Sequence, residues 1–279
     1  MHKTEFKRVV GVDFSGAKRA GENAWVAQCL VVEEKLNLVS VNSLESLCGS
    51  ALREPALAWL AEFAGKQDGA LVGMDFPFGL PIELGWAIWP DQMRAVGEWQ
   101  SGANDFGREC VRRARLVGEK MHIRRLTDRL TKTPFDCYHY RIIYQTFHGM
   151  RDVLGPLSKV DGVSIFPFQP VTESTRAIVV EACPGSTLKR WKLPHQNYKQ
   201  PGGGALLPRR LATRNEILDG LSKRLNFSES QRRTMVRNPG GDAMDAVIAA
   251  VGAWEAFCSI SPAEIREDAR FPNEGMVLA

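Results

Sequence analysis

Short apolar runs bounded by turn residues alternate with stretches of helical spacing along this chain, and their order predicts its architecture. Arg8 to Phe14 (RVVGVDF) reads as a first strand whose end carries Asp13 into Ser15-Gly16 and a polar loop, Ala17 to Asn23. Ala24 to Val32 and Leu36 to Val41 are partly alternating runs separated by Glu33-Glu34-Lys35, the pattern of strand, charged turn and strand. With the first run they predict an antiparallel meander. Glu54 to Phe63 sets Leu57, Leu60 and Ala61 on one helical face. Ala70 to Phe76 (ALVGMDF), between Gly69 and Pro77, predicts a buried strand parallel to the first, with Asp75 near its carboxyl end. From about Trp86 to Val160 helical, charged sequence replaces the strand signals. Ala177 to Glu181 (AIVVE) restores a buried strand, ended by Cys183-Pro184-Gly185. Gln196 to Pro208, rich in Gly and Pro, predicts a surface loop, and Leu211 to Leu225 a helix. Asn238-Pro239-Gly240-Gly241 then breaks the chain before a helix with a small, apolar face, Asp242 to Phe257. The tail from Ser259 has two prolines and no clear periodicity.

Composition narrows this only a little. The chain has 279 residues, enough for one large domain or two small ones, and its 44% hydrophobic and 24% charged content is that of a folded soluble protein. Six scattered cysteines with no C-x-x-C pair argue against a zinc ribbon and a disulfide framework. The polar start of the chain and the lack of a bilayer-length apolar run predict a cytoplasmic protein. A net charge of +4 permits nucleic acid as a partner without demanding it.

The distribution of charge says more. Between Arg108 and Arg141 ten Arg or Lys face four Asp or Glu, and Phe135, Tyr138, Tyr140, Tyr144 and Phe147 interleave near the end. Arg108, Arg112, Arg113, Arg115, Arg124, Arg125 and Arg129 are candidate phosphate contacts, whose affinity would fall steeply with salt, and the aromatics are candidates for stacking on unpaired bases. The alternative is a solvated helical face over ordinary core aromatics, with Asp128 pairing Arg124 or Arg125. Lys199, in the glycine-rich loop, is a further candidate phosphate contact. His122, His139, His148 and His195 lack metal-ligand spacing and read as structural or surface residues. Cys183 reads as an inert buried thiol.

The acids carry the candidate chemistry. Asp13, alone at a strand end, is either an Asx-turn residue or a catalytic acid, depending on what converges with it. Asp242 and Asp245 are three apart and share one helical face. They serve either as N-cap and helix-dipole partner, or as two members of a site. Ala246, Ala249 and Ala250 predict close approach of this helix to a sheet. If it packs beside the strands ending in Asp13 and Asp75, four carboxylates meet. Such a cluster raises its own pKa values and calls for a divalent cation. Hard oxygen donors suit Mg2+ or Mn2+, and two such ions about 3.5–4 Å apart serve phosphodiester hydrolysis. Glu181, at another strand end, is a fifth candidate, or else a strand residue paired with an Arg or Lys.

Asp13 in the first strand, Asp75 in the fourth and Asp242 with Asp245 in the last helix resemble the RNase H-like superfamily, and the paired aspartates its Holliday-junction resolvase branch. More closely, GVDFSGA, GMDFPFGLP, VEACPGST and GGDAMDAVIAA resemble, in order and over most of the chain, the domain-of-unknown-function 429 family of predicted RNase H-like nucleases. The resemblance implies an α/β fold, an RNase H-like mixed sheet flanked by helices with a helical insertion. The core would comprise residues 1–85 and 171–258, the basic insertion 86–170 and the tail 259–279. It further implies a two-ion Mg2+ or Mn2+ nuclease, with Asp13 bridging, Asp75 and Asp242 completing the shells, Asp245 a fourth ligand or water-orienting group, and Glu181 accessory. The resolvase branch often has Glu where this chain has Asp75, which leaves the first shell to Asp75 or Glu181. A homodimer would suit a junction-type substrate. Two other readings stand beside it: an actin-like or sugar-kinase-type phosphotransferase holding phosphates on the Gly11–Gly16 turn, and a non-catalytic nucleic-acid-binding module.

Overall fold

The computed structural model describes residues 6–200 and 204–279. Strand β1 (Arg8–Asp13) buries residues of both parities, as a central strand must when both sheet faces are covered. It pairs antiparallel with β2 (Trp25–Val32), which pairs antiparallel with β3 (Lys35–Ser43), the meander expected from the pattern. On its other side β1 pairs parallel with β4 (Ala70–Asp75), in a register that sets Asp13 directly opposite Asp75. Strand β5 (Val163–Ile165) and β6 (Ala177–Ala182) extend the parallel side, and β7 (Leu225–Asn226) closes the far edge beside β3. Strand β8 (Val277–Leu278) pairs with the carboxyl end of β6 and completes an eight-stranded sheet. The chain is thus a mixed α/β protein with helices on both faces.

Alternation along each strand divides the core. Val10, Val12, Val72, Met74 and Val179 meet Leu57 and Leu60 of helix Arg53–Gly65 and the aromatic Phe106 and Phe147. On the opposite face Val9, Ala27 and Leu36 meet Ile217, Leu218 and Val247, while Leu71, Ile178 and Val180 meet Ala249 and Ala253. Helix Asp242–Phe257 lies on this second face. It approaches so closely that a Cβ on Gly11 would stand 2.0 Å from the Ala246 carbonyl oxygen, and one on Gly73 2.8 Å from the Ala253 Cβ. Glycines in the two central strands and alanines in the helix therefore fix where the helix begins, one turn before Ala246 and beside the ends of β1 and β4.

Several expected boundaries move. Residues 86–170 are mainly helical, with helices Trp89–Gly97, Ala103–Val117, Leu126–Leu130 and Ile143–His148, but β5 lies inside that range and belongs to the sheet. The tail is no appendage. Helices Pro262–Glu267 and Phe271–Glu274 lead into β8, whose two residues are too few to show a period. The helix expected from Leu211 runs over Pro208–Ser222, and Leu225 is instead in β7. Helix Glu229–Arg237, capped by Ser228 with Gln231 in a reciprocal box, was not foreseen, its apolar residues being too few for a clear face. Residues 1–5, and 201–203 of the expected loop, lie outside the described residues. Among the described residues no helix is long and apolar enough to cross a membrane.

Candidate active site

Asp13 and Asp75 close adjacent parallel strands, and parity sends both side chains to the face that carries helix Asp242–Phe257, as it does Gly11 and Gly73. Asp242 and Asp245 occupy the first turn of that helix. Asp242 is not its N-cap. The cap position is Gly241 (φ +85°), and the Asn238 side-chain oxygen accepts instead from the Ala243 N–H at 3.2 Å. The four aspartates foreseen from the sequence thus lie at the same end of the sheet, Asp242 with its carboxylate turned back over Gly240 and bonded to Asn238 and to its own N–H.

Their electrostatics carry the marks of crowding. Burial pushes the Asp13 carboxyl well above the usual carboxylate range; Lys199 opposes this, while Asp245, Asp242 and Asp75 add to it. Burial and Asp245 push Asp75 up to about 7, again against Lys199. Asp242 is raised by burial and by Asp245. Asp13 and Asp245 are buried, at 7% and 1% exposure. An adjoining cleft of about 480 Å³ reaches Asp75, Asp245 and Lys199, and is walled by Phe135, Gln145 and Asn197.

The donors are all carboxylate oxygens, the chemistry that Mg2+ or Mn2+ takes. Among the described residues, however, no three acidic, histidine or cysteine side chains are gathered closely enough to hold a cation as they stand. Positive charge comes instead from Lys199, whose ammonium is ion-paired with Asp245 Oδ2. The Tyr198 hydroxyl donates to Asp245 Oδ1 at 2.9 Å. Lys199 is therefore turned into the acid cluster rather than outward to a phosphate as the sequence suggested.

Two further expectations are corrected by packing. Glu181 is in register with Met74, not Asp75, so it points to the sheet face opposite the aspartates. There it is grasped by the fully buried Arg125, through Nη2–Oε1 at 2.6 Å and Nη1–Oε2 at 2.8 Å, and accepts from the Phe78 N–H at 3.0 Å. Arg125 also binds Asp128 (Nη2–Oδ1 2.8 Å), so its guanidinium is committed to two carboxylates and both Glu181 oxygens are bonded, although all three side chains line the cleft that reaches Asp75 and Asp245. The remaining arginines differ among themselves. Arg113 lies over Trp86 at 3.9 Å and bonds Glu109 and the Leu84 carbonyl, a structural role. Arg112 also pairs with Glu109, and Arg124 donates to the Thr133 and Pro134 carbonyls, though both stay exposed, as do Arg108, Arg115 and Arg129. Of the aromatics, Tyr138 and Phe147 are core, Tyr140 and Tyr144 are exposed, and Phe135 lines the cleft.

His122 pairs with Asp136 and His148 with Asp152, at 3.0 and 2.8 Å. Burial pushes the Cys183 thiol up to about 12, and among the described residues no disulfide joins the cysteines. Sequence reasoning missed Tyr198 and Arg214. Arg214, fully buried, donates to the carbonyls of Tyr198, Val236, Asn238 and Pro239 at 2.5–2.8 Å, tying the Tyr198–Lys199 segment to the turn that starts the aspartate-bearing helix. An arginine within an amphipathic helical pattern gives no signal of such a role. The parity of AIVVE, which puts Glu181 with Ala177 and Val179, was readable and would have separated it from Asp75.

No curated protein and no solved structure matches the chain. A family model does, over residues 11–262, a span that includes all four aspartates, Lys199 and Arg214. With that coverage, the chain belongs to the family described as protein of unknown function DUF429.

Proposed function

We propose that the protein is a divalent-metal-dependent nuclease that hydrolyses nucleic-acid phosphodiester bonds at Asp13, Asp75, Asp242 and Asp245. The observation that carries this reading is the convergence of two strand-end carboxylates, paired in register, with two carboxylates from the first turn of the helix lying across those strands. The three-strand antiparallel meander, continued by parallel strands on the far side of β1, suits the RNase H-like arrangement implied by the sequence. Asp13, central and buried, and its neighbours Asp75 and Asp242 would hold Mg2+ or Mn2+. Such ions would supply activation of water and relief of charge on the leaving oxygen. The chain's own part is to hold the acids rigidly, on two central strands and one helix turn. Asp75 and Asp245 line the cleft by which substrate would reach them.

The exposed Arg108, Arg112, Arg115, Arg124 and Arg129 supply basic surface for a phosphate backbone. The phosphotransferase alternative is less well supported. A Cβ on Gly16 would stand 2.1 Å from the Tyr144 carbonyl oxygen, and Gln145 donates to the Phe14 carbonyl, so helix Ile143–His148 fills the space over the turn that would hold phosphates. The test is cleavage of end-labelled single- and double-stranded DNA and RNA with Mn2+ or Mg2+. Wild type is expected to cut at least one substrate, chelator to stop it, and Asp13→Asn to reduce it to background. Folded wild type that cuts none of them in either ion, or cuts equally well as Asp13→Asn, would overturn the reading.

A further inference from the structure

Asp245 has no free oxygen. Its Oδ2 is ion-paired with the Lys199 ammonium and its Oδ1 accepts from Tyr198, while the side chain itself is 2% exposed. Lys199 acts on more than this partner, since its charge also stabilises the ionised forms of Asp13, Asp75 and Asp242.

The chain is built to keep it there. Gly241, with φ +85°, leaves room for the lysine stem: its absent Cβ would lie 3.2 Å from Lys199 Cγ and 3.4 Å from the Tyr198 ring. Arg214 donates to the Tyr198 carbonyl and to the Asn238 and Pro239 carbonyls, clamping the lysine's segment to the turn before Asp242. Yet the Lys199 side chain is 45% exposed, so its flexible stem can carry the ammonium into solvent without disturbing the core.

We propose that Lys199 is a built-in counter-ion that occupies the carboxylate site and must leave Asp245 before a divalent cation can bind all four acids. The inference rests on the reading of these aspartates as a cation site. A lysine and a divalent ion seeking the same oxygens compete, so Lys199 sets the concentration at which the ion binds; it is a positioning residue for the site.

The test is Mn2+ titration by calorimetry at fixed pH and salt on wild type, Lys199→Gln and Lys199→Arg, with thermal unfolding of each in chelator. Lys199→Gln is expected to bind Mn2+ tighter by about tenfold or more, and Lys199→Arg to bind like wild type. In chelator Lys199→Gln should melt below wild type, the acids being left without their counter-charge, and excess Mn2+ should remove the difference. Equal or weaker Mn2+ binding by folded Lys199→Gln, where wild type binds, would overturn the inference and leave the cation site standing. Binding by Lys199→Gln alone would support it. No binding by any variant would overturn both the cation site and the role of Lys199.

Discussion

Asp75 ends β4 at the cleft, and its carboxyl is pushed up to about 7 by burial first and then by Asp245, with Lys199 opposing. A carboxyl held above its unfolded value favours the protonated fold. Its contribution to stability is fully present below about pH 4 and is lost as pH rises through about 7. Asp13 and Asp242, raised in the same direction, steepen that slope. Asn in place of Asp75 keeps the neutral form at every pH. Without divalent ions, Asp75→Asn is therefore expected to be more stable than wild type at pH 8, on the order of 2 kcal/mol, with no gain at pH 4. Thermal melts at the two pH values decide it, and equal melting at pH 8 would contradict the crowding of the acids. Mn2+ at pH 8 should stabilise wild type and do much less for the variant.

At the scale of elements, the site depends on one helix lying unusually close to two strands. Gly11 faces the Ala246 carbonyl and Ala250, and Gly73 faces Ala249 and Ala253, so the helix meets the strand backbones with nothing larger than an alanine methyl between. Gly11→Ala would drive a methyl into main-chain atoms that cannot turn aside. The expected cost is about 3 kcal/mol, read as a lower urea midpoint, together with weaker Mn2+ binding because Asp242 and Asp245 shift away from Asp13. A variant as stable as wild type would show that the helix can move off the sheet freely. The same element-scale geometry was partly legible in advance. The alanines of Asp242–Phe257 announced a close approach, and the periods of the first four strands announced the meander and the parallel β4. The strand β5, three residues long, and β8, two residues long, carry too little pattern to be seen before their partners are known.

At the scale of the molecule, the carboxyl-terminal segment straps the helical region to the sheet edge. Gln92 donates to the Asn273 carbonyl, the Glu274 side chain accepts from the Leu126 N–H at 2.6 Å, and the Val277 N–H donates to Thr127 Oγ1 at 2.8 Å. Glu274 is wholly buried, and its backbone carbonyl accepts from Arg125, the residue that also holds Glu181 and Asp128. Deleting residues 269–279 would leave these buried groups unpaired and remove β8 from β6. The expected loss is about 3 kcal/mol or more, measured as a fall in melting temperature, and an unchanged melting temperature would refute the strap. Nothing in the tail's sequence marks it as structural, because its hydrogen-bond partners lie some 150 residues away.

Local pattern was enough for the α/β character, the antiparallel meander, the parallel pairing of β1 with β4 and the presence of Asp13, Asp75, Asp242 and Asp245 at element ends. Those features follow from alternation, helical period and turn residues, which act over a few neighbours along the chain. Tertiary structure alone decided the partners of the buried charges. It gave Glu181 to Arg125, on the opposite face of the sheet, and Lys199 to Asp245, inside the cluster, instead of leaving both for metal and phosphate. A charge taken out of water needs a counter-charge wherever the fold can supply one, and Arg125 and Glu181 stand 56 residues apart. That choice is made by which surfaces meet, and short-range sequence pattern carries no record of it.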